Sequence, residues 1–429
     1  MHPPRPHSPH RVNVLLLVGI SLLSGFAGTV MQVVSGVWVL DLTGSSSLAA
    51  LTGTCIFAPT LLGPALGSVV DRLPRRPLLV ATHLGTAAVV LSLLAVRSEA
   101  GAWLIFAVML GYGLSFVLID AGESAVLPAA LTPEALGTTN GLRTSAQEGV
   151  KLVAPVVGAG LFAWGGGHTV AALTATLLTV AAALYPLLRL RHPPADDAGR
   201  APLGTDHGRH RIRDGIRHLR AVAELRTTVL VGAVAIAMSG LSTAGLYAVV
   251  VDDLHRPAAF LGVLASVQGA GSTLGGLLVG RLLRRGTVTV SVLGALLFAL
   301  GVAGYCVPRW QVAVAGALVV GLGLPWTLVA AMTTVQTRTP DHMLGRVAGT
   351  ANTLLFAPVA IATPAGAAMV LLETRLPLVV AAVCCVAAAL VAIRLLRRTA
   401  GDDSPVDQPG PAGAPEAEPP AERVDHPVG

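Results

Sequence analysis

The chain has 429 residues, 53% of them hydrophobic and only 12% charged, with a mean hydropathy of +0.71. This composition excludes a soluble globular domain and indicates an integral membrane protein. The net charge of +6 does not indicate nucleic acid as a partner, because the basic residues gather between apolar stretches, where membrane topology accounts for them.

A helix crosses the hydrocarbon core with roughly 20 mainly apolar residues. Twelve such spans are predicted: 14–40, 48–70, 78–96, 102–128, 141–164, 168–188, 227–251, 259–280, 287–307, 311–336, 347–372 and 376–396. The first follows a short basic segment, 1–13, resembling a signal peptide, but its apolar run of 27 residues is too long for a cleaved one. Between spans 6 and 7, residues 189–226 form a Pro/Gly/Asp-rich linker followed by a basic stretch expected to be an amphipathic helix on the membrane surface. His207, His210 and His218 there read as a solvated basic face, not as metal ligands. After Arg398 come seven prolines in 31 residues, the composition of a disordered tail. The expected domains are therefore an N-terminal segment (1–13), a first bundle (14–188), the linker (189–226), a second bundle (227–398) and the tail (399–429).

With both termini cytoplasmic, 24 of the 29 basic residues fall on the inner side and only Arg97, Arg256, Arg309 and Arg375 on the outer. The positive-inside rule selects this orientation, in a bacterial plasma membrane. Trp38, Trp103, Trp164 and Trp310 fall at the predicted outer ends, where amphipathic rings suit the headgroup region. Cys55, Cys306, Cys384 and Cys385 lie within apolar helices without ligand spacing and read as small packing residues.

The two halves repeat. GSVVDRLPRR starts at Gly67 and GLLVGRLLRR at Gly276, each after the second span of its half and offset by 209 residues; Pro155 and Pro364 show the same offset within the fifth spans. TPEALG at 132 and TPDHMLG at 339 sit between the fourth and fifth spans. Such symmetry marks a transporter of two six-helix bundles.

Here the chain resembles the major facilitator superfamily, over residues 14–398. The family's G-x-x-x-D-R-x-G-R-R loop is matched by Gly67, Asp71, Arg72, Arg75 and Arg76, with Pro74 for the inner glycine. The second copy keeps Gly276, Arg281, Arg284 and Arg285 but has Gly280 in place of the acid. LDLTGSSSLAAL after span 1 and GRVAGTANTLLFAPVAIATPAG in span 11 look like the branch containing macrolide efflux proteins and the enterobactin exporter. The resemblance implies an all-α membrane protein of twelve helices in two pseudo-symmetric bundles. It also implies a cytoplasmic latch, in which Asp71 faces the start of helix 11 while Arg75 or Arg76 ties the loop to an acid on helix 4.

Four ionisable residues lie within spans 4 and 5: Asp120, Glu123, Glu148 and Lys151. Each costs roughly 2.5–3.5 kcal/mol at a bilayer centre, so they are expected to be paired. Their i, i+3 spacing puts each pair on one helical face. Lys151 is expected to reach Asp120 or Glu148, with Glu123 left to the latch. One acid remains in excess, and Asp120 or Glu148 is the candidate proton carrier, the alternative being a static ion network. His83 reads as a packed or snorkelling histidine. Pro155 and Gly158 approach an antiporter element of the superfamily's fifth helix, and small-residue packing is an equal reading of them. In the family fold the cavity is lined by helices 1, 4, 7 and 10, giving Phe26, Gln32, Tyr112, Phe116, Met238, Ser242 and Trp326 as candidates, with Pro325 beside the last. Their apolar character suits an amphipathic substrate.

The lone lysine sits in VKL, so there is no Walker A loop, and no catalytic or metal constellation occupies a loop. The chain is therefore expected to be no enzyme, to need no cofactor, and to work as a monomer in the lipid bilayer. Its expected partners are protons and a hydrophobic small molecule, exported by alternating access. The alternatives are an importer of a nutrient or siderophore with the same fold, and a transport-dead sensor or scaffold.

Overall fold

A backbone in lipid must satisfy its own polar groups, which a helix does within one segment. The computed structural model describes residues 9–63, 66, 70, 73–190 and 216–402, and the regular elements among them are all helical. They are α1 (Pro9–Thr43), α2 (Ser46–Phe57, continued by a 3-10 stretch Ala58–Leu62), α3 (Arg75–Leu91), α4 (Ala102–Ala130) and α5 (Pro133–Leu184). After the linker follow α6 (Ala223–Ala248), α7 (Phe260–Leu282), α8 (Thr287–Tyr305), α9 (Trp310–Arg338), α10 (Asp341–Phe356), α11 (Val359–Val370) and α12 (Leu376–Asp402).

Ten of the described helices are long and apolar enough to cross a membrane. The predicted spans map onto the elements with two differences. Spans 5 and 6 run together as α5 but reverse at Gly166, whose φ of 69° and ψ of −176° suit glycine alone. Gly167 beside it packs flat on Trp38, leaving no room for a side chain. Span 11 is divided between α10 and α11 at Pro358, which has no N–H to continue a ladder. Trp38, expected at the headgroup level, is instead buried and edge-on to His168 at 5.4 Å. Trp103, Trp164 and Trp310 are exposed.

The repeat read from the sequence reappears as equivalent ties with different chemistry. At the face carrying the helix 1 start, Asn13 donates to the Ala130 carbonyl at the end of α4 (2.8 Å) and pairs with the Arg189 backbone. In the second half, Glu224 at the start of α6 meets Arg338 at the end of α9 (2.7 Å) and accepts from Thr287 (2.6 Å). We call this side the terminal face. At the opposite, far face, the first half joins the end of α1 to the sixth span through Trp38 and His168. The second joins the end of α6 to α12 through Asp253 and Arg375 (2.8 Å).

The halves meet at two seams. Along α5 and α7, Gly262 lies on Ala159 and the Pro155 carbonyl, and Gly269 lies on the Lys151 carbonyl. Pro155 has no N–H, so it leaves the Lys151 carbonyl without its usual helical donor, and the bare Gly269 backbone lets α7 approach it closely. Ser266 adds a hydrogen bond from the Val156 N–H (3.1 Å). At the other seam, Ser47 donates to the Ala367 carbonyl (2.7 Å), and Ala50, Ala244 and Ala367 pack together. Nearby, Tyr247 abuts Gly36 on α1. Small residues permit these approaches, which is how helices associate without a hydrophobic force between them.

Of the linker, residues 216–221 are helical; Leu219 is buried against Leu225, Val335 and Val347, and His218 reaches the Arg338 carbonyl (3.2 Å). His207, His210 and the tail from 403 lie outside the described residues.

Candidate transport and gating site

The turn at Leu131–Thr132 makes α4 and α5 a hairpin, with Leu131 closing α4 and Pro133 opening α5. Glu123 and Arg143 sit at comparable distances from that turn, and they form the ion pair, with side chains 11% and 14% exposed. Tyr185 at the end of α5 donates to the other Glu123 oxygen (2.7 Å). Arg143 Nε donates to Ser21 Oγ on α1 (2.7 Å). The network therefore joins α1, α4 and both limbs of α5. Asp120, one turn before Glu123 and itself exposed, lies within the electrostatic reach of Arg143.

His83 extends this polar region. Its Nδ1 faces the Leu79 carbonyl (2.9 Å), which can only accept, so the proton sits there and Nε2 accepts from Ser24 Oγ (3.0 Å). The ring lies 5.1 Å from that of Tyr185 and is fully buried, so it packs and does not snorkel.

Several expected pairings are corrected. Glu123 pairs with Arg143, not with Arg75 or Arg76. Arg76 instead donates to the Leu188 carbonyl at the end of the sixth span, because the start of α3 lies against that segment. Arg143 is a cation facing Asp120 and the Lys151 backbone belongs to the α5–α7 seam, while the expected Lys151–Glu148 pairing involves a side chain outside the described residues. Nothing is described of the Glu148 side chain. Pro155 does lie in the seam, while Gly158 packs on Val30 and Val34 of α1, within the first half.

Gly67, Asp71 and Arg72 lie outside the described residues. In the second copy, Gly276 faces open space, and the glycine that packs is its neighbour Gly275, against the Leu322 carbonyl and Trp326. Arg281, Arg284 and Arg285 are at the exposed end of α7, where Gly286 turns the chain at φ 101°.

Of the cavity candidates, Phe116 and Gln32 are exposed and Phe26 and Met238 half-buried. Tyr112 is buried against Gly28, and Ser242 donates to the Ser239 carbonyl within its own helix. Trp326 is not a cavity residue: it is buried and donates to the Gly275 carbonyl (2.9 Å), tying α9 to α7.

The sequence reading missed Arg143, Tyr185 and Ser21. Arg143 was counted only toward topology, although Arg143, Gln147 and Lys151 recur every four residues along one face of α5.

The Major Facilitator Superfamily model matches residues 14–244 and 227–423. The chain belongs to that family. Within it, the chain is 28% identical over 352 residues to the enterobactin exporter EntS of Escherichia coli O127:H6, covering 78% of this chain and 77% of that one. It is 27% identical to the enterobactin exporter EntS of Shigella boydii serotype 4 over the same shares. Among solved structures, it is similar to a bacterial homologue of the human lysosomal transporter Spinster in an inward-facing, unoccupied conformation. That match has a TM-score of 0.69 and 15% identity, covering 92% of this chain and 99% of the other. The nucleoside transporter NupG matches with a TM-score of 0.70 at 14% identity, covering 90% and 99%. This superfamily member is thus a multi-pass membrane transporter of twelve-helix architecture, the ten long helices being joined by the short α2 and by the reversal within α5.

Proposed function

We propose that this superfamily member exports an amphipathic small molecule from a bacterial cell by alternating access, coupled to protons, with both termini cytoplasmic. The observation that carries coupling is the Glu123–Arg143 pair with Tyr185, Ser21 and Asp120 around it. Charges at this depth are costly unless paired. A proton arriving on Asp120 or Glu123 weakens the hold on the Arg143 guanidinium, and Arg143 is bonded to α1 through Ser21. Protonation therefore alters how α1 packs on α5.

Export is favoured over import because the curated relatives are named as exporters. Enterobactin, named in those relatives, is the first probe to try. The halves on either side of the 189–226 linker would rock about the α5–α7 and α2–α11 seams, which close the far side. Gly67, Asp71, Arg72, Arg75 and Arg76 would latch the terminal face, with Gly276, Arg281, Arg284 and Arg285 as their weaker counterpart.

Everted membrane vesicles energised to an acid interior test the reading. Uptake of the probe is expected, and its collapse with a protonophore. Uptake unaffected by the protonophore would overturn proton coupling, and accumulation only in right-side-out vesicles would overturn export. Full proton-dependent export by both Asp120→Asn and Glu123→Gln would make the network purely structural.

A further inference from the structure

The connection between α6 and α7 is built in a way that transport does not require. Val249–Asp253 form a π-helical turn. Leu254 and Arg256 then donate backbone N–H groups to the Val249 and Val250 carbonyls (2.9 and 3.0 Å), and His255 is held at φ 47°. Widened turns and left-handed non-glycine residues persist where their surroundings hold them, and they cluster at functional sites. Here the outcome is the placing of charge. Arg256 lies over the Trp310 ring, 5.4 Å from its centroid, and Asp253 meets Arg375. Arg309 immediately precedes Trp310. Three of the four arginines that the sequence assigns to the arginine-poor face thus converge on one spot.

Two hollows flank this connection. The first, of about 510 Å³, has Asp253, Arg309, Trp310 and Gln311 on its wall. The second, of about 290 Å³, lies beside Pro257 and is walled by carbon, including Val156, Ala159 and Gly160 of α5 and Phe260 and Val263 of α7. It follows the α5–α7 seam between apolar spans; Val156 and Val263 are 45% and 39% exposed there. In a bilayer such a surface is covered by hydrocarbon. The two hollows share no lining residue but adjoin the same short connection, through Leu254 in the first and Pro257 in the second. A cation and a carboxylate on one wall, beside an exposed tryptophan and near an apolar groove, match a glycerophospholipid.

We propose that this is a binding site for an aminophospholipid of the phosphatidylethanolamine type. One acyl chain lies in the α5–α7 groove. The phosphodiester meets Arg309 and Arg256, for which arginine's fork is suited. The ammonium meets the Asp253 carboxylate, one of whose oxygens is taken by Arg375. Asp252 and Glu373, both exposed, add negative charge nearby and His255 lies in the connection, so the surroundings balance the arginines and favour a zwitterionic headgroup over an anionic one. The lipid so placed spans the seam between the halves.

The test uses the purified full chain in detergent, stripped of lipid, with lipid retention read by mass spectrometry and thermal unfolding as a second readout. Phosphatidylethanolamine is expected to be retained and to raise the melting temperature. Phosphatidylcholine, whose amine has no N–H, phosphatidylglycerol and soluble phosphoethanolamine are expected to do so much less. Arg256→Gln combined with Arg309→Gln should lower retention about a hundredfold, roughly tenfold for each charge-assisted hydrogen bond removed. Gly160→Leu, where an added side chain enters open space, should fill the groove and do the same without lowering the lipid-free melting temperature. Equal retention of all three lipids, preference for phosphatidylglycerol, or wild-type retention in both variants would overturn the proposal. None of these readouts depends on transport, so the site is tested separately from export.

Discussion

Replacing Glu123 with Gln leaves the Arg143 guanidinium among helices with Ser21 still bonded to it, its ion-pair partner gone and Asp120 the carboxylate left within electrostatic reach. Removing one partner of a buried pair costs about 3–5 kcal/mol, while removing both costs far less. Glu123→Gln and Arg143→Gln are therefore each expected to lower the melting temperature in detergent, and the double variant by less than the sum; strictly additive losses would mean that the two side chains act apart. Glu123→Asp, which keeps the charge but withdraws it by one methylene, should retain more stability than Glu123→Gln. At the α5 reversal the backbone itself limits what is tolerated. Gly166 has a conformation suited to glycine alone and Gly167 lies on the Trp38 ring. Gly166→Ala and Gly167→Ala are each expected to cost about 1–3 kcal/mol, by strain and by overlap respectively. Thermal unfolding checks both, and a Trp38→Ala background should relieve only the second.

Along the α5–α7 seam, the contact is made mostly by backbone and small side chains, so bulk is what should open it. Gly269→Leu, whose side chain would run into the Lys151 carbonyl, should shift the population toward the far-side-open state. In a cysteine-free background, Ser266→Cys should then react about tenfold faster with a membrane-impermeant thiol reagent applied to the far face. An unchanged rate would mean the seam does not gate that side. The spans themselves were legible because apolar runs of membrane length admit few other structures, and the α9 and α8 boundaries were placed to within two residues. The partners inside the bilayer were less so. Glu123 has Arg143 opposite because the hairpin turns at Leu131–Thr132, whereas the loop motif points Glu123 toward Arg75 or Arg76. The position of Trp38 near a helix end points to the headgroup level, but Gly167, which makes room for its ring, lies 129 residues later. Gly276 occupied the motif position, yet Gly275 does the packing, since motif spacing says nothing of which face meets a neighbour.

For the molecule as a whole, the proposed orientation puts both termini on the inner side. A reporter that is active only outside the cytoplasm, fused after Gly429, should be silent, while one inserted near Arg97 should be active. Asp71→Asn should reduce export while leaving membrane insertion intact; undiminished export would reduce GSVVDRLPRR to a topology signal. The equivalent ties at the terminal face carry a further consequence. The first half is held there by an amide, Asn13, and the second by ions, Glu224 and Arg338, whose side chains are 28% and 57% exposed. The field of an exposed charge decays over about 8 Å at physiological ionic strength and over about 3 Å at 1 M, a length comparable to the Glu224–Arg338 contact, whereas amide hydrogen bonds carry no net charge to screen. The duplicated halves have thus diverged in their sensitivity to electrolyte. Raising ionic strength should loosen the α6–α9 end of the second half first, seen as faster amide hydrogen exchange around Glu224 and Thr287 with no matching change around Asn13, so that a nearly two-fold machine carries a one-sided response to its aqueous surroundings.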